Sequence, residues 1–567
     1  MRSINISNNR IKQKRKKKSL FFPILISICG IFIYFFLTDK NQLFGAIDYL
    51  FSRKNFLSEY KTYDLYIKDL GEGLSDEMIS SLEDIEFQEK KRFNFVDKEN
   101  KADVILRYGE SENSTYSQYL LPVGHMYWIN DSVSSDDLEN GKYTLLLNTD
   151  TYDLYYDFLK QMYPNTEIKS SDDLITDLEE EDNGNLGLIE KEDITKEYRL
   201  LKFDDKYYLD TFDGGIPISI GLISNDEDIN VSFVSDIIKK NLSLSSEEFN
   251  AENIAKINMT GVTALARRVA QAMAVRDNYD YPAEKIASFL SDADLTHTSN
   301  EISFVEGCTT YSGMRFCSSP ESIETLKAIG ADLIELTGNH NNDFGSLYNT
   351  KTIESYTDEG IGYFGGGLDD EDASEPYIID IDGTSIAFLG YNYYDSTVGN
   401  PGALASSTHA GANSYSDEKV KKDIESIRGE VDIVIVDFQF QECYSYPSSD
   451  VIYPVCYKPI TNQSNVFRKA IDYGANIVVG TQAHQPQTYE IYNDGVIFYG
   501  LGNLFFDQSM WIGTRQGMIL THYFKDGELI QTKITPTMYD SSLQVEIADI
   551  EDSNLLLELL KTARNSI

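Results

Sequence analysis

The chain has 567 residues, of which 41% are hydrophobic and 12% aromatic, and this composition excludes disorder throughout the chain. Its formal net charge is −42. A surface this acidic repels phosphate backbones, so nucleic acid is excluded as a partner. The length alone predicts about two to four domains.

The N-terminal segment carries the opposite charge and is followed by an apolar run. Residues 1–18 contain eight Lys and Arg residues and no acidic residue, and residues 19–37 contain no charge at all. A helix of this length spans most of a hydrocarbon core about 30 Å thick. The basic flank predicts a cytoplasmic tail at 1–18, a single transmembrane helix at 19–37 in contact with the lipid bilayer, and an extracellular remainder. A cleaved signal peptide is the alternative, but the bulky residues and the lack of a small-x-small site favour an uncleaved anchor.

Five cysteines are present, and Cys29 lies inside the apolar run. The other four form two local pairs, Cys308 with Cys317 and Cys443 with Cys456. In an oxidising compartment this arrangement predicts two disulfides. Metal thiolates are the alternative, although neither pair has CxxC spacing.

Beyond a juxtamembrane linker at 38–60, residues 61–250 alternate between strand-like and helix-like segments. The predicted strands are 63–67, 102–108 and 143–148, and the predicted helices are 76–88 and 152–163. This alternation indicates an α/β extracellular domain.

A second α/β series covers residues 254–545 and is followed by a C-terminal helix at 546–567. Apolar, β-branched runs bounded by glycine predict buried strands of a mainly parallel sheet. The predicted strands are 256–261, 332–338, 384–391, 431–438, 475–481 and 495–502, and helical segments lie between most of them. Each of these strands ends in a polar cluster, and α/β proteins place their functional sites at such strand ends.

Three of the six histidines lie in those polar clusters, within residues 296–301, 337–345 and 480–490. Imidazole can bind a metal or move a proton, and a neighbouring Asn can supply a neutral oxygen ligand. A lone histidine near a turn is more often a hydrogen-bonded structural residue. Three such segments in one domain therefore leave a functional and a structural interpretation open.

The same region resembles a known family. The stretch 254–540 is similar to the CapA-type capsule synthesis proteins of poly-γ-glutamate biosynthesis. The matching segments are TGVTALARRV (260–269), ADLTHTSNE (293–301), LTGNHNNDFG (336–345), GYFGGGLDDEDA (362–373), GTQAHQPQTYEIY (480–492) and IFYGLGNLFFDQ (497–508). The resemblance implies a calcineurin-like metallophosphatase-type α/β sandwich.

The resemblance also implies a site, but an incomplete one. Val262 stands where the family has a metal-binding Asp, Phe438 or Gln439 where it has a His, and Gln482 where it has the first His of a His-x-His. Glu301, Asn339, His340, Asp343 and His484 are retained, and Asn300 is shifted relative to the Asn of the family's Asn-x-Glu segment.

From this set the resemblance implies Glu301, Asn339 and His340 as catalytic residues. With His484, and with His297 as a substitute ligand, they are also the expected metal ligands. Asn300, Asp343, Gln439 and Gln482 are expected to line the site. Because a two-metal centre needs a bridging carboxylate and several further ligands, we expect at most one divalent metal ion, of unknown identity. A metal-free acid/base pocket and a site that only binds ligand are the alternatives, so enzymatic activity stays open.

A weaker resemblance covers the first domain. Residues 115–128, 134–138 and 184–204 are similar to periplasmic-type solute-binding proteins, which implies a ligand cleft between two lobes. The alternative is a spacer that holds the second domain away from the membrane.

The expected function is synthesis, export or anchoring of a capsule-like anionic polymer at the cell surface, with the polymer or its synthesis machinery as partner. A non-catalytic surface solute receptor or binding scaffold is the alternative. So acidic an extracellular part repels an anionic polymer, and therefore a local Lys/Arg patch or bound divalent cations are required.

Overall fold

A computed structural model of the chain describes residues 2–3, 61–87, 90–109, 113–180, 184–242, 254–309, 313–399, 401–443, 454–565 and 567. The expected membrane helix at 19–37 lies outside these ranges, so the anchor and its topology stay predictions. In the part of the chain that is described, no helix is long and apolar enough to cross a bilayer.

The first unit is a mixed sheet covered by helices. The two-residue strand β1 (Arg2–Ser3) pairs with a sheet of the second unit. The strands of the first unit are β2 (Tyr63–Lys68), β3 (Glu86–Phe87), β4 (Lys90–Lys91), β5 (Phe93–Phe95), β6 (Val104–Tyr108), β7 (Ser114–Gly124), β8 (Ser132–Val133), β9 (Thr144–Asn148), β10 (Glu167–Ser171), β11 (Asn185–Ile189), β12 (Arg199–Leu200), β13 (Lys202–Phe203) and β14 (Ile216–Ile223). Its helices are α1 (Glu72–Leu82), α2 (Ser135–Glu139), α3 (Thr149–Met162), α4 (Leu174–Glu180), α5 (Tyr208–Thr211) and α6 (Val231–Asn241).

The long strand β7 connects the two halves of this sheet. The strand order is β10-β9-β11-β7-β14-β6-β2-β5, with β12 also paired to β7. The first part of β7 pairs with β14 and its last part with β11. Helix α3 covers one half because its N-cap Asn148 accepts a hydrogen bond from Thr151 and its apolar face buries Tyr155, Phe158 and Leu159.

The second unit contains the remaining elements. Its strands are β15 (Ile254–Met259), β16 (Val262–Thr263), β17 (Leu295–Ser299), β18 (Ala331–Glu335), β19 (Gly362–Phe364), β20 (Gly366–Gly367), β21 (Tyr377–Ile381), β22 (Thr384–Asn392), β23 (Gly411–Ala412), β24 (Ile433–Gln439), β25 (Ile477–Thr481), β26 (Pro486–Tyr492), β27 (Gly495–Leu501), β28 (Asn503–Phe505), β29 (Gln516–Lys525), β30 (Glu528–Tyr539) and β31 (Val545–Ile547). Its helices are α7 (Arg267–Arg276), α8 (Ala287–Leu290), α9 (Ile323–Ala328), α10 (Ser346–Glu359), α11 (Asp370–Ser374), α12 (Tyr393–Val398), α13 (Asp417–Ile427), α14 (Gln463–Tyr473), α15 (Ile512–Arg515) and α16 (Ile550–Arg564).

These strands form two sheets that pack face to face. One sheet has the order β19-β18-β17-β15-β29-β30-β31, and the other has the order β1-β21-β22-β24-β25-β27-β26. Ile257 and Leu295 of the first sheet lie in one apolar cluster with Phe388, Ile435 and Val479 of the second. The α/β class is confirmed, and the architecture is a sandwich.

The predicted strands pair in parallel as expected, but they are divided between the two sheets. Both sheets are mixed, and the hairpin of β29 and β30 adds long antiparallel strands to one of them. Asp526 and Gly527 form its two-residue turn, both with positive φ. An Asp-Gly pair between two apolar runs is a strong hairpin signal, and reading it would have predicted these strands.

The two units share an apolar and hydrogen-bonded junction. The ring of Tyr127 stacks on that of Tyr489, with 4.6 Å between the centroids, and the Tyr489 hydroxyl donates to the carbonyl oxygen of Met126. Helix α16 lies beside this contact, and its Arg564 pairs with Glu179 of the first unit at 3.0 Å.

Both predicted disulfides are confirmed. Cys308 bonds to Cys317 and Cys443 bonds to Cys456, closing loops with sequence separations of 9 and 13.

Candidate functional site

Polar side chains from both sheets meet where the strands end. Gln439 ends β24 of one sheet, and its side-chain amide lies 3.0 Å from Asn339 Oδ1 and 2.8 Å from Gln482 Oε1. Asn339 follows β18 of the other sheet. We call this region the edge pocket and define it by Glu301, Asn339, His340, Gln439, Gln482 and His484. Asn339, Gln439 and Gln482 therefore lie together where the strands end, as expected.

Close backbone contacts and unusual backbone angles shape this edge. A Cβ atom at Gly338 would lie only 2.3 Å from the Cβ of Glu301, so the two loops approach this closely only with glycine there. Gln482 and His484 have φ angles of 80° and 56°. Non-glycine residues in this left-handed region are uncommon, and they recur at functional sites.

His340 is paired with an acid. Its Nδ1 lies 2.8 Å from Asp343 Oδ2, and its ring lies 4.3 Å from that of Phe316. Burial acts to lower the pKa of His340, but the hydrogen bond with Asp343 and the nearby charge of Glu301 raise it above the usual value. The imidazole is therefore held in its charged form to a higher pH than a free histidine.

Glu301 is almost completely buried, with 2% of its surface exposed. Burial raises the pKa of its carboxyl group to about 7, although His340 and Arg267 act in the opposite direction. A carboxyl group that titrates near neutral pH can both accept and give up a proton under physiological conditions.

His484 has the opposite character. Its Nδ1 lies 2.9 Å from Asn503 Oδ1, and its ring stacks on Phe506 with 4.9 Å between centroids. Burial lowers its pKa to about 4, so the ring is neutral at pH 7. Phe506 in turn contacts Phe316 at 5.8 Å, which places the two histidines on either side of a phenylalanine pair.

Arg267 contributes to this region, and the sequence interpretation gave it no role. Its guanidinium carbon lies 4.8 Å from the ring centre of Phe316 and 5.0 Å from that of Phe506. Its Nε lies 3.5 Å from Asp507. The residue is part of the TGVTALARRV segment, but only contacts distant in sequence show that its charge faces the pocket.

The position of His297 differs from the expected one. It was expected as a substitute metal ligand beside Glu301, but its side chain is fully buried between the sheets, where Nε2 lies 3.1 Å from Asp437 Oδ2. His297 belongs to β17 itself and not to the loop after it, so it faces the core. Asn300 also turns away from the pocket and bonds to Tyr356 and to the carbonyl oxygen of Ile302.

The donor set does not fit a two-metal centre. Within the described ranges, no group of three His, Cys, Asp or Glu side chains is arranged to hold a metal ion. Val262 is buried and apolar, and its backbone N–H donates to the carbonyl oxygen of Gly502 at 2.9 Å. What the pocket does offer is an imidazole paired with Asp343, a carboxyl group with a pKa near neutrality and several amides. These groups can bind a polar ligand and transfer a proton.

Comparison with known proteins identifies the unit that carries the edge pocket. The family model "Bacterial capsule synthesis protein PGA_cap" matches residues 256–508. The match covers slightly less than half of this chain and shows that residues 256–508 are similar to that family. The resemblance seen in the sequence segments is thereby confirmed.

Two relatives match part of this chain. Capsule biosynthesis protein CapA of Bacillus anthracis is 24% identical over 307 residues, which cover 53% of this chain and 71% of that protein. PGA biosynthesis protein CapA of Bacillus subtilis strain 168 is 26% identical over 220 residues, which cover 39% of this chain and only 54% of that protein.

Solved structures are more distant. A putative 5′-nucleotidase from Staphylococcus aureus has 12% identity, covers 54% of this chain and 58% of its own, and gives a TM-score of 0.30. The calcineurin-like phosphoesterase YfkN from Bacillus subtilis is 11% identical. The alignment covers 55% of this chain and 99% of that protein, with a TM-score of 0.28. An ABC-type phosphate transport receptor from Vibrio cholerae is 11% identical. The alignment covers 31% of this chain and 93% of that protein, with a TM-score of 0.23. At these scores the likeness supports no argument about activity.

Proposed function

We propose that this chain is a membrane-anchored cell-surface protein that takes part in the synthesis, export or anchoring of an anionic capsule-like polymer of the poly-γ-glutamate type. The observation that carries the proposal is the family match over the unit that contains the edge pocket. The names of the two Bacillus relatives supply the polymer class. The uncharged run at 19–37 supplies the anchor.

In this proposal the edge pocket binds the polymer or a precursor through its charged imidazole and its amides. His340, held in place by Asp343, attracts a carboxylate, while Asn339, Gln439 and Gln482 supply hydrogen-bonding groups. Glu301 has a pKa of about 7, which suits the transfer of a proton to or from the bound group.

Deletion of the gene tests this function. We expect the deletion strain to lose its cell-surface polymer and the wild-type gene to restore it. The His340→Ala gene should restore at least about tenfold less polymer, because the group that binds a carboxylate is then gone. His409→Ala is the matched control, since His409 is an exposed histidine outside the edge pocket. Immunoblotting must show equal protein levels. Unchanged polymer in the deletion strain would refute the proposed function.

A second candidate is a non-catalytic surface receptor. The lack of a three-residue metal-binding group in the described part of the chain favours it. In this candidate function, the ligand cleft lies in the first unit, which resembles solute-binding proteins.

Metal content separates a single-metal site from a two-metal hydrolase. We expect at most one tightly bound divalent ion per chain, because Val262 and Gln482 are poor ligands compared with Asp and His. Inductively coupled plasma mass spectrometry of the purified protein measures this ratio, with the His484→Gln variant as a comparison. Two ions per chain together with rapid phosphoesterase turnover would contradict the expectation.

A further inference from the structure

A cavity of about 260 Å³ lies at the junction between the two units, away from the edge pocket. We call it the junction cavity. The first unit supplies one wall, and strand β30 and the N-terminal half of helix α16 supply the others. The residues used below are Ile129, Asp131, Arg199, Lys202, Lys533, Ile534, Ile550 and Leu557, all of which line it. Ligand pockets commonly measure about 300–1,000 Å³, so this cavity suits a small molecule or one short segment.

The charge of this cavity is opposite to that of the chain. Arg199, Lys202 and Lys533 line it, against the single carboxylate of Asp131. Burial acts to raise the pKa of Asp131, but Lys202, Arg199 and Lys533 together hold it below its usual value. All three cations therefore act on the same small volume.

Two of these cations have a carboxylate partner and one has none. Lys202 pairs with Asp131 at 2.8 Å, and Lys533 pairs at 2.6 Å with Asp210, which lies just behind the lining. Arg199 is only 8% exposed, and its guanidinium donates to the carbonyl oxygen of Trp128. Among the described residues, no carboxylate lies within ion-pair distance of Arg199. Apart from the more distant charge of Asp131, this buried cation has no counter-charge, and a bound anion offsets the cost of its burial.

The rest of the lining is apolar. Ile129 and Ile534 form part of the wall, and Leu557 of helix α16 closes one side. Ile550 lies at the rim and is 74% exposed. An occupant that satisfies both parts of the lining carries a negative charge at one end and an apolar group at the other.

We propose that the junction cavity binds a small organic carboxylate with an apolar group, its charge facing Arg199, Lys202 and Lys533 and its apolar group facing Ile534 and Leu557. Such a ligand touches both units, so its binding stabilises their contact. The inference does not depend on the polymer-related function. It gives a strongly acidic chain one place that attracts an organic anion.

Calorimetric titration of the full-length protein in nanodiscs tests this inference, with empty nanodiscs as the blank. The probes are benzoate, the neutral benzamide of the same shape, and acetate, which lacks the apolar part. We expect benzoate to bind at least about tenfold more tightly than either of the others, and raised salt to weaken it. Failure of benzoate to bind at millimolar concentration, or equal binding of benzoate and benzamide, overturns the inference.

Two pairs of variants locate the binding. Lys533→Gln is expected to weaken benzoate binding about tenfold, whereas Lys239→Gln, on the exposed side of α6, leaves it unchanged. Ile550→Glu places a carboxylate at the rim and is expected to weaken binding, whereas the equally large but neutral Ile550→Gln is not. Because Ile550 is exposed, both of its variants are expected to fold. Benzoate binding that neither Lys533→Gln nor Ile550→Glu reduces places the site elsewhere and refutes the assignment.

Discussion

Replacing Asp437 with alanine is expected to lower the free energy of unfolding by about 3–5 kcal/mol, because it leaves a buried histidine without its partner. Asp437 and His297 are both fully buried between the two sheets, 3.1 Å apart. Burial raises the pKa of Asp437, and His297 acts to lower it. Urea unfolding followed by circular dichroism measures the change.

The double replacement of His297 and Asp437 by leucine separates pairing from packing. Because it removes both polar groups together, its cost is expected to be well below that of Asp437→Ala. Asp380→Ala is the matched control, since Asp380 lies exposed on β21 of the same sheet and should change stability by less than about 0.5 kcal/mol. A double variant that loses as much stability as the two single variants combined would show that the residues are not coupled.

The stability of the protein is expected to fall as the pH rises from about 5 to 8, and Glu335→Gln should remove much of that fall. Burial, with the nearby charge of Asp437, raises the pKa of Glu335 to about 8. Its unfolded value is about 4.3. Between these values the folded state binds the proton more tightly than the unfolded state. The stability contributed by Glu335 is therefore fully present below the unfolded pKa and is lost as the pH rises through the folded pKa. The loss from this group is on the order of 2–4 kcal/mol.

Chemical unfolding at pH 5, 6, 7 and 8 provides the measurement. Glu301, with a pKa of about 7, contributes in the same direction, so some slope remains in Glu335→Gln. The lowered pKa of His484 acts only on the acid side, where stability falls as the pH drops below about 6.5 towards 4. Glu354→Gln, on the exposed face of α10, is the control and should keep the wild-type slope. An identical slope in Glu335→Gln and wild type would mean that Glu335 is not protonated in the folded state.

The strands that carry strong apolar runs could be predicted from the sequence because their pattern is local. The runs at 384–391 and 495–502 correspond closely to β22 and β27. The division of these strands between two sheets could not be predicted, because it depends on which strands pair. The hairpin at Asp526 and Gly527 is different, since its turn signal is local and present in the sequence.

The candidate site was predictable only in part, and for a similar reason. Strand ends in α/β proteins gather at one edge, which places Asn339, Gln439 and Gln482 together. The same argument misplaced His297, because this residue lies within β17, which is buried along its whole length, and not in the loop after it. The roles of Arg267 and Asp437 depend on contacts with residues more than a hundred positions away in sequence.

The stacked rings of Tyr127 and Tyr489, with Arg564 of helix α16 beside them, bear on how the protein can be divided for study. A fragment that ends near residue 250, or one that begins there, would expose one face of this aromatic contact to water. It would also expose the apolar side chains that line the junction, such as Tyr207 against Tyr523. Such large aromatic surfaces promote aggregation. We therefore expect the two units to unfold together, with a single melting transition in calorimetry.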